Sequence, residues 1–249
     1  MTETPEKIND NVKIYQDSNS LSFTTDAYLL SAYVKRGSHR VCELGSGSGV
    51  ITLLCMARRK FKTAVCVEIQ EKIARLCERN VRENGFESDI SVITSDIRDL
   101  PSDMNGSFDA VLTNPPYMRI SSGKLNVDSA NIACRHELFG GIDDFCRAAS
   151  RLLKFGGLFY AVYRPDRLSE LLHSCEAAGL AVKSMTLVYP TVGHKPSAVL
   201  IRAKKGAAAG MTASKPLIIY RSADNMTDDG YTDDMKYIYE NGDFDDCFR

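Results

Sequence analysis

The chain has 249 residues, of which 44% are hydrophobic and 25% charged, and its formal net charge is −1. These values are typical of a soluble globular protein, and the longest apolar runs, Val50–Ala57 and Gly157–Tyr163, are too short to span a bilayer. The first residues lack the charged-then-apolar pattern of a signal sequence, so we expect a cytoplasmic protein.

Charge is distributed unevenly along the chain. Residues 222–249 carry nine acids against Lys236 and Arg249, which leaves 29 basic and 23 acidic residues, a net charge of +6, in the remainder. A basic body suits a polyanionic partner such as a nucleic acid, but it is also an ordinary value for a domain of this size.

The eight cysteines do not indicate a disulfide or a metal centre. No Cys-x-x-Cys pair is present, and most of the cysteines fall inside predicted strands or helices, where they are typical of small buried thiols in a reducing compartment. These cysteines are Cys42, Cys55, Cys66, Cys77, Cys146 and Cys175. We therefore expect no metal.

Residues 1–20 are polar and are expected to form an extended, flexible segment. An apolar helix is predicted to follow, reaching about Val34, with Thr25 or Asp26 as its N-cap. Spacing alone favours the capping role for Asp26.

A strand, a glycine-rich loop and a helix come next, at Arg40–Leu44, Gly45–Gly49 and Val50–Ala57. This order is typical of the first unit of a nucleotide-binding α/β fold, whose glycines permit a tight turn and a close approach of the ligand. A dinucleotide fingerprint would have its third glycine at position 50, where this chain has Val50. The observed E-x-G-x-G-x-G spacing, which begins at Glu43, therefore disfavours a nicotinamide-dependent dehydrogenase.

The next two predicted strands each end beside an acidic residue. Strand Thr63–Glu68 ends on Glu68, which could accept hydrogen bonds from the hydroxyls of a ribose or cap the predicted helix Glu71–Asn84. Strand Ile90–Thr94 is followed by Asp96 and Ile97. Asp96 could reach the exocyclic amine of an adenine while Ile97 packs on its ring, or Asp96 could serve only as a turn residue.

The fourth predicted strand runs from Phe108 directly into Asn114-Pro115-Pro116-Tyr117. Proline has no N–H, so the Pro115 carbonyl has no local partner, and the Asn114 side chain supplies a second acceptor oxygen. Two converging acceptors can hold both hydrogens of an NH₂ group, and Tyr117 can stack on a flat, extruded base. The alternative is a Pro-Pro turn that ends a strand, with Asn chosen for turn chemistry.

A long polar segment, Met118–Arg135, follows this motif. Loops of this length in a compact domain are usually functional or disordered. Because the segment adjoins the Asn-Pro-Pro-Tyr motif, Lys124 and Arg135 are the candidate phosphate contacts.

The C-terminal half is predicted to complete a sheet of seven strands. A helix near Ile142–Leu153 precedes strand Leu158–Tyr163, and a helix at Pro165–Ala178 follows it. Strands Val182–Tyr189 and Ser197–Lys204 then form an antiparallel hairpin at a sheet edge. The main domain is predicted to span residues 21–205, and residues 206–249 a linker and an acidic extension that is either ordered against the sheet or solvated.

These motifs resemble those of the class I S-adenosylmethionine-dependent methyltransferases. The glycine loop is similar to their cofactor loop, Glu68 to their ribose-binding acid and Ser95-Asp96-Ile97 to their adenine contact. Asn-Pro-Pro-Tyr is similar to their motif for methylating amino groups. The match is closest to the bacterial tRNA(Val) adenine-37 N6-methyltransferase family, and it covers roughly residues 12–240. The stretches that carry it are Phe23–Leu30, Ala133–Glu137, Phe159–Arg167, Leu217–Tyr220 and Tyr231–Met235.

The resemblance implies a Rossmann-like, mostly parallel sheet with helices on both faces, S-adenosylmethionine as cofactor, a tRNA substrate, no metal, and a monomer or homodimer. The catalytic residues that it implies are Asn114, Pro115, Pro116 and Tyr117, and the substrate contacts are Tyr117, Lys124 and Arg135. The cofactor site that it implies comprises Thr25, Asp26, Glu43, Gly45, Ser46, Gly47, Gly49, Glu68, Ile69, Asp96, Ile97 and Asn114.

The same motifs are also compatible with other functions. Glutamine N5-methylation of a release factor uses the same tetrapeptide. The enzymes that catalyse it resemble a fusion with an additional helical N-terminal domain, whereas only about forty residues precede the glycine loop here, which disfavours this function. DNA adenine methylation is disfavoured by the lack of a target-recognition domain. A non-catalytic RNA-binding protein on the same scaffold is disfavoured by the intact motif residues.

Overall fold

The computed structural model describes residues 5–9, 12–16, 25–116 and 140–248. Within these residues, a sheet of nine strands forms the centre of the fold. Its strands are β3 (Arg40–Leu44), β4 (Thr63–Glu68), β5 (Ile90–Thr94), β6 (Phe108–Thr113), β7 (Leu153–Tyr163), β8 (Leu180–Tyr189), β9 (Ala198–Lys205), β10 (Thr212–Ala213) and β11 (Leu217–Ile218).

Strands β7-β6-β3-β4-β5 lie side by side and are all parallel. The hairpin of β8 and β9 adds β9 antiparallel to β7, and the short strands β10 and β11 pair in parallel with β8. The predicted mixed α/β fold, its mostly parallel sheet and its antiparallel C-terminal hairpin are confirmed. The two short strands enlarge the seven-stranded sheet.

Six helices complete the described fold. They are α1 (Thr25–Tyr33), α2 (Val50–Ala57), α3 (Glu71–Glu83), α4 (Ile142–Leu152), α5 (Leu168–Ala177) and α6 (Asp233–Asn241). The predicted helix from Pro165 to Ala178 is divided into a 3-10 turn, Pro165–Arg167, and α5. None of the described helices is both long and apolar enough to cross a membrane.

The sheet separates two hydrophobic cores. Successive strand residues alternate between them: Val41 and Ala110 face α1, α2, α3 and α6, whereas Cys42 and Val111 face α4 and α5. Both faces of β3, β4 and β6 are covered and these strands are mostly apolar, whereas the edge strand β5 has the exposed residues Ser91 and Thr94. Helices on both faces are therefore confirmed.

The segment predicted to be flexible contains an antiparallel hairpin, β1 (Pro5–Asn9) and β2 (Val12–Tyr15). In β2, Val12 and Ile14 are buried in the core that contains α3. The side chains of Asn80, in α3, and of Asn84, the residue that follows α3, also pair with the β2 backbone. The sequence of α3 gives no indication of these partners.

The C-terminal extension, residues 206–249, is ordered against the sheet over its described part. The buried side chains Met235, Ile238, Phe244 and Phe248 join the same core as α1 and α2. Asp243 forms an ion pair of 3.0 Å with Lys60, whose side chain is fully buried. The extension therefore contributes to the body of the protein.

Candidate active site

The carboxyl ends of four parallel strands meet at one edge of the sheet. The register pairs Leu44 of β3 with Thr113 of β6 and with Val67 of β4, and Glu68 with Thr94 of β5. This edge is where open α/β sheets bind ligands. The glycine loop, the Asn-Pro-Pro segment and the Ser-Asp-Ile segment all begin there.

Thr113 joins the end of β6 to the start of the glycine loop. Its fully buried hydroxyl donates a hydrogen bond of 2.9 Å to the carbonyl of Leu44, the residue before Gly45. Asn114 therefore begins next to the loop, in a position set by a buried contact.

The glycine loop turns tightly, and two of its glycines show why that residue is needed. Gly47 has φ +55, and a Cβ added to it would meet no heavy atom within 4 Å, so the space beside it is open. Gly49 has φ +83, and a Cβ there would lie 2.7 Å from the Cys77 sulfur. One glycine leaves room for a ligand, and the other lets α3 pack against the loop.

The Glu68 carboxylate holds this loop. One oxygen accepts from the Gly47 N–H and the other from the Gln70 N–H, each at 3.0 Å. The side chain is buried beside the loop, at the end of β4. Glu68 therefore contacts the loop and caps the turn before α3, as one of the two sequence interpretations expected, and its contact with a ribose stays a prediction.

Glu43 is buried beneath the loop and faces α2. One carboxylate oxygen accepts from both the N–H and the hydroxyl of Thr52, at 3.0 and 2.5 Å. Burial raises the pKa of Glu43 to about 7, and the Glu68 charge pushes it the same way, while the two bonds from Thr52 oppose the shift. Glu43 thus fixes the start of α2 below the loop.

Asp96 lies at the end of β5 and is paired with Arg98. The two side chains form a forked ion pair, and hydrogen bonds from Arg98 hold the pKa of Asp96 below its ordinary value, although burial opposes this. Ile97 is buried in the core that contains α4. Only 6% of Ile97 is exposed, and its packing on an adenine ring stays a prediction.

The remaining predicted residues divide into those that the structure describes and those that it does not. Asn114 is half-buried, Pro115 is buried and Pro116 is exposed. Thr25 is exposed, and Asp26 and Ile69 are half-buried. Tyr117, Lys124 and Arg135 lie outside the described residues.

Ser46 adds a polar atom to the loop. Its N–H donates to Val67 O at 2.9 Å, but its buried hydroxyl has no hydrogen-bond partner among the residues that the structure describes. A buried hydroxyl without a partner is costly. Together with the open space at Gly47 and the nearby acidic groups Glu68 and Asp96, it fits a polar ligand with ribose and amine hydrogens.

Sequence reasoning missed three residues that shape the site: Thr52, Asn80 and Thr113. Each is fully buried, and each uses a polar side-chain atom to hold a neighbouring segment. For Thr52 and Thr113, a polar residue in an apolar run is a usable signal, because buried polar groups need partners. Asn80 stands among charged residues and gives no such signal. The partner itself depends on the fold.

The methyltransferase small domain family matches residues 22–173, which contain the glycine loop and the Asn-Pro-Pro motif. The chain belongs to this family. The predicted methyltransferase activity is thereby confirmed, and within the described residues no group of three or more His, Cys, Asp or Glu side chains could hold a metal ion.

Relatives of this methyltransferase carry a more specific name. A protein of Bacteroides fragilis is 27% identical over 191 residues, which cover 76% of this chain and 79% of that protein. A protein of Aeromonas hydrophila is 28% identical over 219 residues, covering 86% and 89%. Both are named tRNA1(Val) (adenine(37)-N6)-methyltransferase, so the predicted resemblance is confirmed.

Solved structures share the fold of this methyltransferase. A protein from Agrobacterium tumefaciens, described as a predicted O-methyltransferase, aligns with a TM-score of 0.71 at 22% identity, over 89% of this chain and 98% of that chain. TYW2 of M. jannaschii in complex with AdoMet aligns with a TM-score of 0.56 at 15% identity, over 82% and 85%. At such identities the likeness concerns the fold.

Proposed function

We propose that this methyltransferase transfers a methyl group from S-adenosylmethionine to the N6 amine of an adenine in tRNA, at position 37 beside the anticodon of tRNA(Val). The observation that carries the proposal is the placement of Asn114 and Pro115. They follow β6 directly at the ligand-binding edge, and the Thr113–Leu44 hydrogen bond sets them beside the glycine loop. The names of the relatives supply the choice of substrate.

The cofactor site comprises the residues predicted from the sequence. The open space at Gly47, the unpartnered Ser46 hydroxyl and the carboxylates of Glu68 and Asp96 support its position. Glu68 would accept from ribose hydroxyls, and Asp96 from an adenine amine. When bound, the cofactor supplies a methyl group on a sulfonium, which is already a strong electrophile.

The chain's own residues then orient the substrate amine. The Asn114 side-chain oxygen and the Pro115 carbonyl hold the two N–H hydrogens, which draws the nitrogen away from planarity and frees its lone pair. Tyr117 stacks on the extruded base. The attacking nitrogen loses its proton to water after the transfer, so no strong base is required. Catalysis then depends mainly on aligning the amine with the sulfonium methyl group.

An RNA substrate is also supported by a basic loop at the same edge. The loop at residues 190–197, here called the rim loop, connects β8 to β9 and contains His194 and Lys195 but no acidic residue. Because β8 and β7 are both antiparallel to β9, β8 ends at the same edge as Asn114. A hydrogen bond of 2.7 Å between Thr191 and His194 orders the loop. Its exposed cation suits a phosphate contact.

The experiment compares acceptors directly. The protein is incubated with methyl-labelled S-adenosylmethionine and, separately, with total tRNA, duplex DNA and a release factor. We expect label in tRNA, recovered as N6-methyladenosine after nucleoside digestion. Label in the release factor would instead establish glutamine N5-methylation, and label in DNA a DNA methyltransferase. A tRNA-modifying enzyme would act in the cytoplasm.

A further inference from the structure

The side chain of Asn80, on α3, connects two segments that are distant in sequence. It is fully buried, and its oxygen accepts from the Tyr15 N–H at 2.8 Å. Its amide nitrogen donates to the Tyr15 carbonyl at 3.0 Å and to the Ser48 carbonyl at 2.9 Å. One side chain therefore pairs with β2 of the N-terminal hairpin and with the glycine loop.

The contact at Ser48 fixes a particular peptide plane. The peptide between Ser48 and Gly49 is held at its carbonyl by Asn80 and at its N–H by the Ser46 carbonyl, at 2.9 Å. Glu68 holds the peptide of Gly47, just before it. Glu68 and Asn80 therefore both help to fix the loop's conformation from outside, and of these two side chains Asn80 is the one that also holds the hairpin.

Asn84, one helical turn later, makes the same type of contact without reaching the loop. Its oxygen accepts from the Lys13 N–H at 3.0 Å, and its nitrogen donates to the Lys13 carbonyl at 2.7 Å. Its amide nitrogen also contacts the Asn80 carbonyl. Asn80 and Asn84 thus form a ladder along β2, of which only the Asn80 step continues to Ser48.

We propose that Asn80 is a positioning residue that couples docking of the N-terminal hairpin to binding at the glycine loop. When the hairpin is docked, the Tyr15 backbone pairs with the oxygen and the nitrogen of the Asn80 amide. This pairing holds the amide in the orientation in which its nitrogen also donates to the Ser48 carbonyl. A ligand that favours this loop conformation then favours the docked hairpin by the same factor, because such coupling is reciprocal. The inference rests on the proposed cofactor site.

The test measures two quantities that a purely local packing role would not link. The first is the dissociation constant of S-adenosylmethionine, by calorimetry, for the wild type, Asn80→Ala and Asn84→Ala. The second is amide hydrogen exchange of residues 12–16, with and without cofactor. We expect the cofactor to slow exchange of these amides in the wild type.

In Asn80→Ala we expect cofactor binding to weaken about tenfold or more, with the cofactor-dependent protection of the hairpin lost. In Asn84→Ala the hairpin exchanges faster, but the dissociation constant stays within about threefold of wild type. Equal affinity of Asn80→Ala and wild type overturns the inference, as does an equal loss in both variants.

The wild type alone decides the matter if Asn80→Ala does not fold. Hairpin exchange that is indifferent to bound cofactor then overturns the inference, and protection supports it. A wild type that binds no S-adenosylmethionine contradicts the proposed function itself, so the two failures are distinguishable.

Discussion

The Gly47 N–H donates a hydrogen bond of 3.0 Å to the Glu68 carboxylate, which joins the tip of the glycine loop to the end of the neighbouring strand. The two residues come from separate βα units, 21 positions apart. The second carboxylate oxygen accepts from Gln70 N–H, so both oxygens are already engaged by the protein. The acid at this strand end therefore holds the glycine loop in its conformation.

Glu68→Gln should weaken both the loop and cofactor binding. Glutamine keeps one acceptor oxygen but places an NH₂ group against the second N–H donor, which leaves a buried donor unpaired. We expect a loss of about 1–3 kcal/mol in the free energy of unfolding and a dissociation constant for S-adenosylmethionine raised about tenfold or more. Urea denaturation and calorimetry measure these. The control is Glu71→Gln, whose exposed ion pair with Arg75 should contribute less than about 1 kcal/mol.

Asn114→Ala should separate methyl transfer from cofactor binding. The substitution removes one of the two acceptors proposed for the substrate amine and leaves in place the hydrogen bonds that Glu68, Asn80 and Thr113 make with the glycine loop and Leu44. Asn114 is one of twelve residues proposed for the cofactor site, so we expect the dissociation constant for S-adenosylmethionine to stay within about threefold of wild type, while the single-turnover rate falls by about two orders of magnitude or more. Transfer at the wild-type rate would remove Asn114 from the catalytic assignment. Asn114→Asp, which keeps an acceptor oxygen, should retain more activity than Asn114→Ala.

The sequence predicted the central strands closely because their boundaries are local. The predicted bounds of β3, β4 and β5 match the structure at both ends, as do those of α2. Each of these strands consists mostly of apolar residues and ends at a glycine or a polar residue, and the buried strands of a parallel sheet require such apolar segments. The motifs at the strand ends could also be found from local sequence, because each one directly follows the strand that positions it.

The N-terminal hairpin was missed because its partners lie elsewhere in the chain. Residues 1–20 contain too few apolar residues to suggest a strand that is buried by itself. Val12 and Ile14 are buried because α2 and α3 pack against β2, and the β2 backbone is paired by Asn80 and Asn84, more than 60 positions later. Side-chain to backbone pairs at that separation leave no periodic pattern in the sequence.

Asp96, at the candidate site, also has a contact that the sequence did not predict. The sequence indicated an acid positioned for an adenine amine, but the fold also brings Arg98 into a forked pair with it. If Asp96 contacts the cofactor, Asp96→Asn should weaken binding about tenfold, whereas Arg98→Ala should change it less than about threefold. Calorimetry on both variants tests this. A larger effect from Arg98→Ala would mean that the ion pair itself, and not a cofactor contact, is what matters at Asp96.

Asp243→Asn should reveal how strongly the C-terminal extension supports the fold. The Lys60 ammonium is fully buried; it donates to the carbonyls of Ser31, Ala32 and Val34 and pairs with Asp243. Burial lowers the pKa of Lys60, so loss of its counter-charge leaves a buried cation without full compensation. We expect a loss of about 1–3 kcal/mol in unfolding free energy.

Asp234→Asn is the matched control in the same extension. Asp234 pairs with Lys215 at 2.9 Å, but both side chains are at least 40% exposed. Such a pair should contribute less than about 1 kcal/mol, and less at high salt. Equal losses in the two variants by urea denaturation would contradict a specific role for the Lys60–Asp243 contact.

Lys195→Glu should weaken tRNA binding without affecting the cofactor. The rim loop lies at the same edge of the sheet as Asn114, and its charge reversal places a carboxylate where a phosphate is proposed. We expect the KM for tRNA to rise about tenfold at low salt, with the difference shrinking as salt is added. Lys183→Glu, at the opposite end of β8, is the control and should leave the KM unchanged. A rise of similar size in the control would indicate a general charge effect.

Glu43 should make stability depend on pH in the direction opposite to most carboxylates. Burial raises its pKa in the folded protein to about 7, whereas the unfolded chain has the ordinary value near 4.5. Between these two values the folded state binds the proton and the unfolded state does not. The stabilisation from this group is therefore complete below pH 4.5 and is lost as the pH rises through about 7.

Glu43→Gln isolates this contribution, because glutamine mimics the protonated acid and can still accept from Thr52. The free energy of unfolding is measured for both proteins by urea denaturation at acidic and at mildly alkaline pH. Relative to the variant, the wild type should lose on the order of 1–3 kcal/mol between the two conditions. Asp109 provides the opposite sign: burial opposes ionisation, but bonds from Lys154, Arg40 and His39 outweigh it and lower its pKa. Wild type compared with Asp109→Asn should therefore lose stability towards acid. If the difference in unfolding free energy between wild type and Glu43→Gln does not change with pH, Glu43 stays ionised in the folded protein.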